Sequence, residues 1–134
     1  MSNTRISLFD LRQKVAKFRD DRNWRQHHNP KSLAMSIMIE AAELAEHFQW
    51  ETMAEAEAHQ KDSKKKHQIT QELADVVIYC LAFADAMNIE LGEAIIAKLE
   101  HNQIKYPKDK AHDTDFIRQQ RERSRRKQVN KRAR

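Results

Sequence analysis

With 134 residues, one glycine, two prolines and a single cysteine, the chain has room for one domain. It has little material for hairpins, sandwiches or a disulfide framework. The formal charge of +5 is unevenly spread. Residues 118–134 hold nine Lys/Arg and one acid, while residues 1–117 hold 16 basic and 19 acidic residues, a net of −3. No apolar run is long enough to span a bilayer, and Met1–Asp10 lacks the apolar core of a signal peptide. Ala, Leu, Glu, Lys, Gln and Arg dominate and favour helix. The expectation is an all-α protein with no membrane partner. The lone Cys80 points to a reducing compartment, the cytoplasm.

Helical periodicity begins at Ser7, where Asp10 stands three residues on in capping-box position. Leu8, Leu11, Val15 and Phe18 recur as a buried stripe. The pattern stops at Asn23–His28, a loop rich in rings. Trp24 either lids the core or lines, with His28, a pocket for a planar base. Asn29-Pro30 is a strong helix start. The second helix is predicted from there to about Trp50, with Ala34, Ile37, Met38, Ala41, Ala45 and Phe48 facing the core.

Residues 51–68 read as a solvated connector with a short helix around Met53–His59 and the run Lys64-Lys65-Lys66. A third long helix is predicted from near Ser63 to about Met87. Ile69, Leu73, Val76, Cys80, Phe83, Ala84 and Met87 form one apolar face, and Ile78, Leu81 and Ala82 a second. A helix apolar nearly all round is buried on all sides, so a subunit interface is expected. Asn88 is the expected cap of a fourth helix ending at Pro107. Its Lys98, Asn102 and Tyr106 share one side at i, i+4 and i+8. They read as a phosphate contact and a carboxylate-orienting amide, against the plainer reading of a snorkelling lysine. Residues 113–134 carry almost no apolar surface and are predicted to be a disordered basic tail.

Two stretches carry the chemistry. Glu40 and Glu43 stand three residues apart, as do Glu72 and Asp75. On a helix that spacing places each pair on one face, with Cβ atoms about 5–6 Å apart. Four converging carboxylates repel one another unless a cation sits among them. A hard divalent ion, Mg²⁺ or alternatively Mn²⁺, suits oxygen ligands and commonly takes phosphate oxygens in its open positions. Tyr79 continues the same edge. The implied chemistry is magnesium-dependent action on a polyphosphate. A lone acidic pair on a helix also arises as flank charge bound by Lys or Arg.

Several segments in order resemble one family. These are Phe18–Trp24, His28–Pro30, Glu40–Trp50, Glu72–Tyr79 and Lys98–Pro107. They closely resemble the all-α MazG-like nucleotide pyrophosphohydrolases, best the dCTP pyrophosphatase-type branch, over roughly Leu8–Pro107. The family's ExxE, spacer, ExxD order is present, with 28 residues between Glu43 and Glu72. The resemblance implies an antiparallel four-helix bundle, assembled as a homo-oligomer, dimer or tetramer. It also implies Mg²⁺-dependent hydrolysis of (deoxy)nucleoside triphosphates, dCTP or a modified pyrimidine dNTP among them, to monophosphate and pyrophosphate, with nucleotide-pool cleansing as the role.

In that reading Glu40, Glu43, Glu72 and Asp75 match the metal ligands, with Glu40 or Glu43 orienting the attacking water. Lys98, Asn102 and Tyr106 match the phosphate-side motif, and Trp24, His28 and Trp50 the base-side positions. The dCTP-type members carry His where Val15 stands, which leaves base preference open. Glycines that commonly flank the first acids are Ile39 and Ala42 here. The hydrolase domain is expected over residues 1–112 and the tail over 113–134. The alternative is a non-enzymatic nucleic-acid-binding protein acting through the tail, whose contact would be weak and non-specific. That leaves the acids unexplained. A ferritin-like di-metal bundle needs Glu-x-x-His on two helices, a pattern absent here.

Overall fold

The computed structural model describes residues 5–132. The expectations for the two chain ends therefore fall partly outside it, at residues 1–4 and 133–134. The described chain is all-α, without a strand. It comprises α1 (Leu8–Asp21), a short 3₁₀ turn (Arg25–His27), α2 (Pro30–Glu46), α3 (Met53–Ala58), α4 (Ser63–Ala86), α5 (Leu91–Lys105) and α6 (Thr114–Arg132). No described helix is long and apolar enough to cross a membrane. The chain divides into two compact units, Met1–Leu91 and Gly92–Arg134.

Short polar side chains set the helix starts. Ser7 and Asp10 form the expected capping box, with the Asp10 N–H donating to Ser7 Oγ at 3.1 Å and the Ser7 N–H to Asp10 Oδ2 at 3.0 Å. The Asn29 side chain accepts from the Ser32 N–H at 2.9 Å, with Pro30 at the first helical position. Thr52 and Glu55 box the start of α3. Asp62 accepts from the Lys64 and Lys65 N–H groups, each at 3.0 Å.

Two helix ends share one device. Asn23 and Asn88 adopt φ of 56° and 52°, a left-handed conformation that asparagine tolerates better than most residues. Trp24 N–H donates to Arg19 O and Asn23 N–H to Asp20 O. In the same way Ile89 N–H donates to Ala84 O and Asn88 N–H to Asp85 O. Both pairs are the crossed bonds of a Schellman motif. Asn88 thus ends α4 and does not cap α5, correcting the sequence expectation. In a chain with one glycine, asparagine takes the position glycine usually fills.

In the first unit α1 and α2 both pack against α4. The fully buried apolar side chains there are Leu33, Leu81, Ala82 and Ala84. On α2 and at its C-cap the least exposed positions are Leu33, Ser36, Ile37, Glu40, Leu44 and His47, which follow one helical stripe. The expected face is therefore rotated: Ile37 and Phe48 are half-buried as expected, but Ala34, Ala41 and Ala45 are exposed and Met38 is 58% exposed. The inward stripe of α2 carries an acid in mid-helix. On α4, Leu81 and Ala82 are buried within one chain, while Leu73, Val77 and Ile78 remain exposed. Only Ile78 of the expected second face lacks cover. On α1 the buried residue is Arg19, not Phe18. Arg19 donates to Asp20 at 2.8 Å and to Asp85 at 2.6 Å. Arg12 adds a bond to Ile89 O at 3.2 Å and an ion pair with Glu90 at 2.8 Å.

The second unit holds α6, which corrects the expectation of a disordered tail. Residues 114–132 form a continuous helix with no buried residue. Asp113 caps it, accepting from the Asp115 and Phe116 N–H groups at 2.9 and 3.1 Å. Its Arg, Gln and Lys content is helix-favouring. The low apolar content correctly implies the absence of burial, but capping and propensity act locally and do not require it.

Candidate active site

The acids converge from α2 and α4. Carboxylate oxygens of Glu40, Glu43 and Glu72 all lie within 4.8 Å of one another. Glu40 and Glu72 are half-buried and Glu43 is exposed. The Glu40 carboxyl is held above its ordinary pKa of 4.5, first by burial and then by the charges of Glu43, Asp75 and Glu72. Asp75 is thus electrostatically part of the group, although its oxygens lie outside the tight trio. The donor set is all hard oxygen, crowded and mutually repelling. A divalent cation with oxygen preference fits it.

A cavity of about 400 Å³ opens beside the acids, lined by Glu43, Glu46, His47, Lys65 and Glu72. His47 Nε2 lies 4.0 Å from Glu72 Oε1. Sequence reasoning gave neither His47 nor Lys65 a role. The signal was available for His47, which continues the inward stripe of α2 seven residues after Glu40. Lys65 stands seven residues before Glu72 on α4, where helical spacing returns to the same face. It makes no ion pair among the described residues.

A second pocket, of about 300 Å³, is lined by Trp24, His27, His28, Ser32, Leu33, Ser36 and Tyr79. The Schellman motif ending α1 fixes the Trp24 backbone, and its ring meets Phe18 edge-on at 5.9 Å. His28 Nδ1 is buried without a hydrogen-bond partner among the described residues. The His28 pKa is held below 6.5, first by burial and then by the charges of Arg19 and His27. On α2 the ring pocket precedes the acids, and on α4 it follows them. The two helices therefore run antiparallel. The ring pocket begins one turn from Asp75, at Tyr79.

Trp24, His28 and Tyr79 are brought together. Trp50 is not among the residues lining their pocket. After α2 ends, the Phe48 ring turns toward His59 at 5.9 Å, while Trp50 is left 88% exposed. In the second unit Lys98 and Asn102 stand one turn apart on α5, and Tyr106 follows just past its end, its N–H donating to Asn102 O at 2.8 Å. Lys98 is exposed, and Asn102 and Tyr106 are half-buried.

Helical acids paired across α2 and α4 beside a ring-lined pocket define a class of acidic, metal-fitted α-helical sites. The MazG-like family model matches residues 35–116, and the chain belongs to that family. Rat dCTP pyrophosphatase 1 is 37% identical over 101 residues, which span 75% of this chain and 59% of the rat protein. The human protein of that name is 35% identical over the same shares. The chain thus spans under two thirds of the length of these relatives. A crystal structure of a pyrophosphatase from Archaeoglobus fulgidus superposes with a TM-score of 0.69 at 39% identity, covering 81% of this chain and 99% of that one.

Proposed function

We propose that the chain is a divalent-metal-dependent nucleoside triphosphate pyrophosphohydrolase, releasing monophosphate and pyrophosphate. The observation that carries this reading is the convergence of Glu40, Glu43 and Glu72 beside a ring-lined pocket. The names of the relatives and of the Archaeoglobus fulgidus structure agree with it. We assign Mg²⁺, with Mn²⁺ as substitute, to Glu40, Glu43, Glu72 and Asp75. When bound, the ion neutralises triphosphate charge and stabilises the phosphoryl oxygens in the transition state.

The chain's own residues do the rest. Glu40 or Glu43 holds a water for in-line attack at the α-phosphorus and accepts its proton. A water oxygen–phosphorus bond forms, the bond from the α-phosphorus to the bridging oxygen breaks, and pyrophosphate leaves. Lys65, a cation in an acid-lined cavity with no ion-pair partner among the described residues, meets phosphate charge there. Lys98, Asn102 and Tyr106 are assigned phosphate-side roles. The Trp24 and Tyr79 rings give a planar base apolar surface to stack on. The unpartnered His28 Nδ1 supplies a hydrogen-bonding group to select it, and a pyrimidine such as cytosine is the favoured occupant. Trp50 is retained as a base-side residue.

The exposed Met38, Ile39, Leu73, Val77 and Ile78 favour assembly into a dimer or tetramer. Cytoplasmic pool cleansing is the role this chemistry serves. A panel of canonical and modified NTPs and dNTPs, with and without Mg²⁺, decides the matter when pyrophosphate and monophosphate are both quantified. Pyrophosphate release from none of them sinks the reading. A Lys65→Ala arm with unchanged KM removes Lys65 from it.

A further inference from the structure

The second unit contains a cation-lined cleft that the proposed hydrolysis does not use as a whole. It is formed by α5 and α6 and has a volume of about 490 Å³. Lys98, His101 and Lys105 line it from α5, and Arg123 and Lys127 from α6. Lys98 and Lys105 stand seven residues apart with His101 between them, and Arg123 and Lys127 four apart, so each row runs along one helix face. Among the described residues no carboxylate lines the cleft. None of its lysines or its arginine forms an ion pair among the described residues. Lys105 Nζ donates to Ser124 Oγ, linking the two walls. The other face of α6 differs, because there Arg118, Arg121 and Arg125 stand beside Glu122.

We propose that this cleft binds the phosphate backbone of duplex nucleic acid. Its cations are exposed, apart from the half-buried Lys105, and unpaired. They suit an extended polyanion held by charge density and not a small anion fixed by buried donors. Among the described residues its walls carry no Phe, Tyr or Trp and only the single imidazole of His101, so there is no row of rings on which successive unpaired bases could stack. Duplex DNA presents one charge per about 1.7 Å of axis, twice the density of one strand. A double row of cations without a stacking platform favours the denser polyanion. Recognition through phosphates alone carries no sequence information.

The test measures anisotropy of a labelled duplex with the full chain from about 50 to 200 mM salt, the range over which counterion release is steep. Single-stranded oligonucleotide and inorganic polyphosphate serve as competing arms. Duplex is expected to bind most tightly. Arg123→Gln/Lys127→Gln should weaken binding about tenfold and lower the log–log salt slope by about 2, near 0.9 per lost phosphate contact. Arg121→Gln/Arg125→Gln removes equal charge from the other face and should cost clearly less. Arg123→Lys, which keeps the charge, should bind like the parent. Lys98 is left intact because it is also assigned to the hydrolytic site. Equal losses from the two double variants overturn the cleft as the site. Tighter binding of single strand or polyphosphate overturns the duplex as its ligand. Absence of salt-dependent binding overturns both.

Discussion

Glu40 stands on the inward stripe of α2, where an apolar side chain ordinarily packs. Its raised pKa records a charge that is half-buried and crowded by three others. The proposed hydrolysis requires those charges. Glu43→Gln and Asp75→Asn keep shape while removing an ionised oxygen donor. Each is expected to lower turnover on the order of a hundredfold or more, with helical circular dichroism unchanged. An Asp75→Asn protein fully active in Mg²⁺ would remove Asp75 from the site. His28 gives a separate test. Its folded pKa lies below 6.5, so the unfolded chain takes up that proton first as pH falls. The stability His28 contributes is present above pH 6.5 and is lost as pH falls from there toward the depressed folded value. Thermal melts from neutral to acid pH should show this loss, and His28→Gln should flatten it.

Among elements, the join of α1 to the end of α4 has the clearest energetics. Asp85 holds the buried Arg19 at 2.6 Å and lies 3.6 Å from Arg12. Removing one partner of a buried pair leaves the other charge uncompensated. Asp85→Ala should destabilise by about 3 kcal/mol, measured as a shift in denaturant midpoint at constant m-value. Helix starts were legible because capping is local: Ser7, Asn29 and the short α3 needed no tertiary knowledge. The inward face of α2 was not. Periodicity assigns Met38 and Ala41 to the core, but both are exposed while Glu40 and His47 are half-buried. Spacing anticipated the convergence of Glu40, Glu43 and Glu72, since three-residue spacing survives such a rotation. Asn88 misled because asparagine serves both helix starts and left-handed helix ends. Lys65 was hidden in a run of lysines where only the phase of α4 distinguishes one from its neighbours.

For the whole molecule, the proposed hydrolytic residues all precede Pro107, while the excess positive charge follows it. Removal of α6 is expected to leave steady-state rates on free nucleotides within a few-fold of the full chain. Retention on heparin should disappear with it, since that depends on charge density. Loss of most activity with the remaining helix content intact would show that α6 takes part in the reaction. The composition made this division visible. It did not reveal that the basic segment is helical, because order without burial leaves no apolar pattern to read.

The small set of fully buried side chains has a consequence in mass action. Leu33, Leu81, Ala82 and Ala84 are few against the apolar surface left on α2 and α4. If association covers that surface, folding and association are one linked equilibrium, and the folded state gains with every increase in protomer concentration. The melting temperature should then rise as the protein is concentrated, at fixed pH, salt and metal. A melting temperature constant across a wide dilution series would mean that each chain is stable alone, with its methionines and isoleucines facing water.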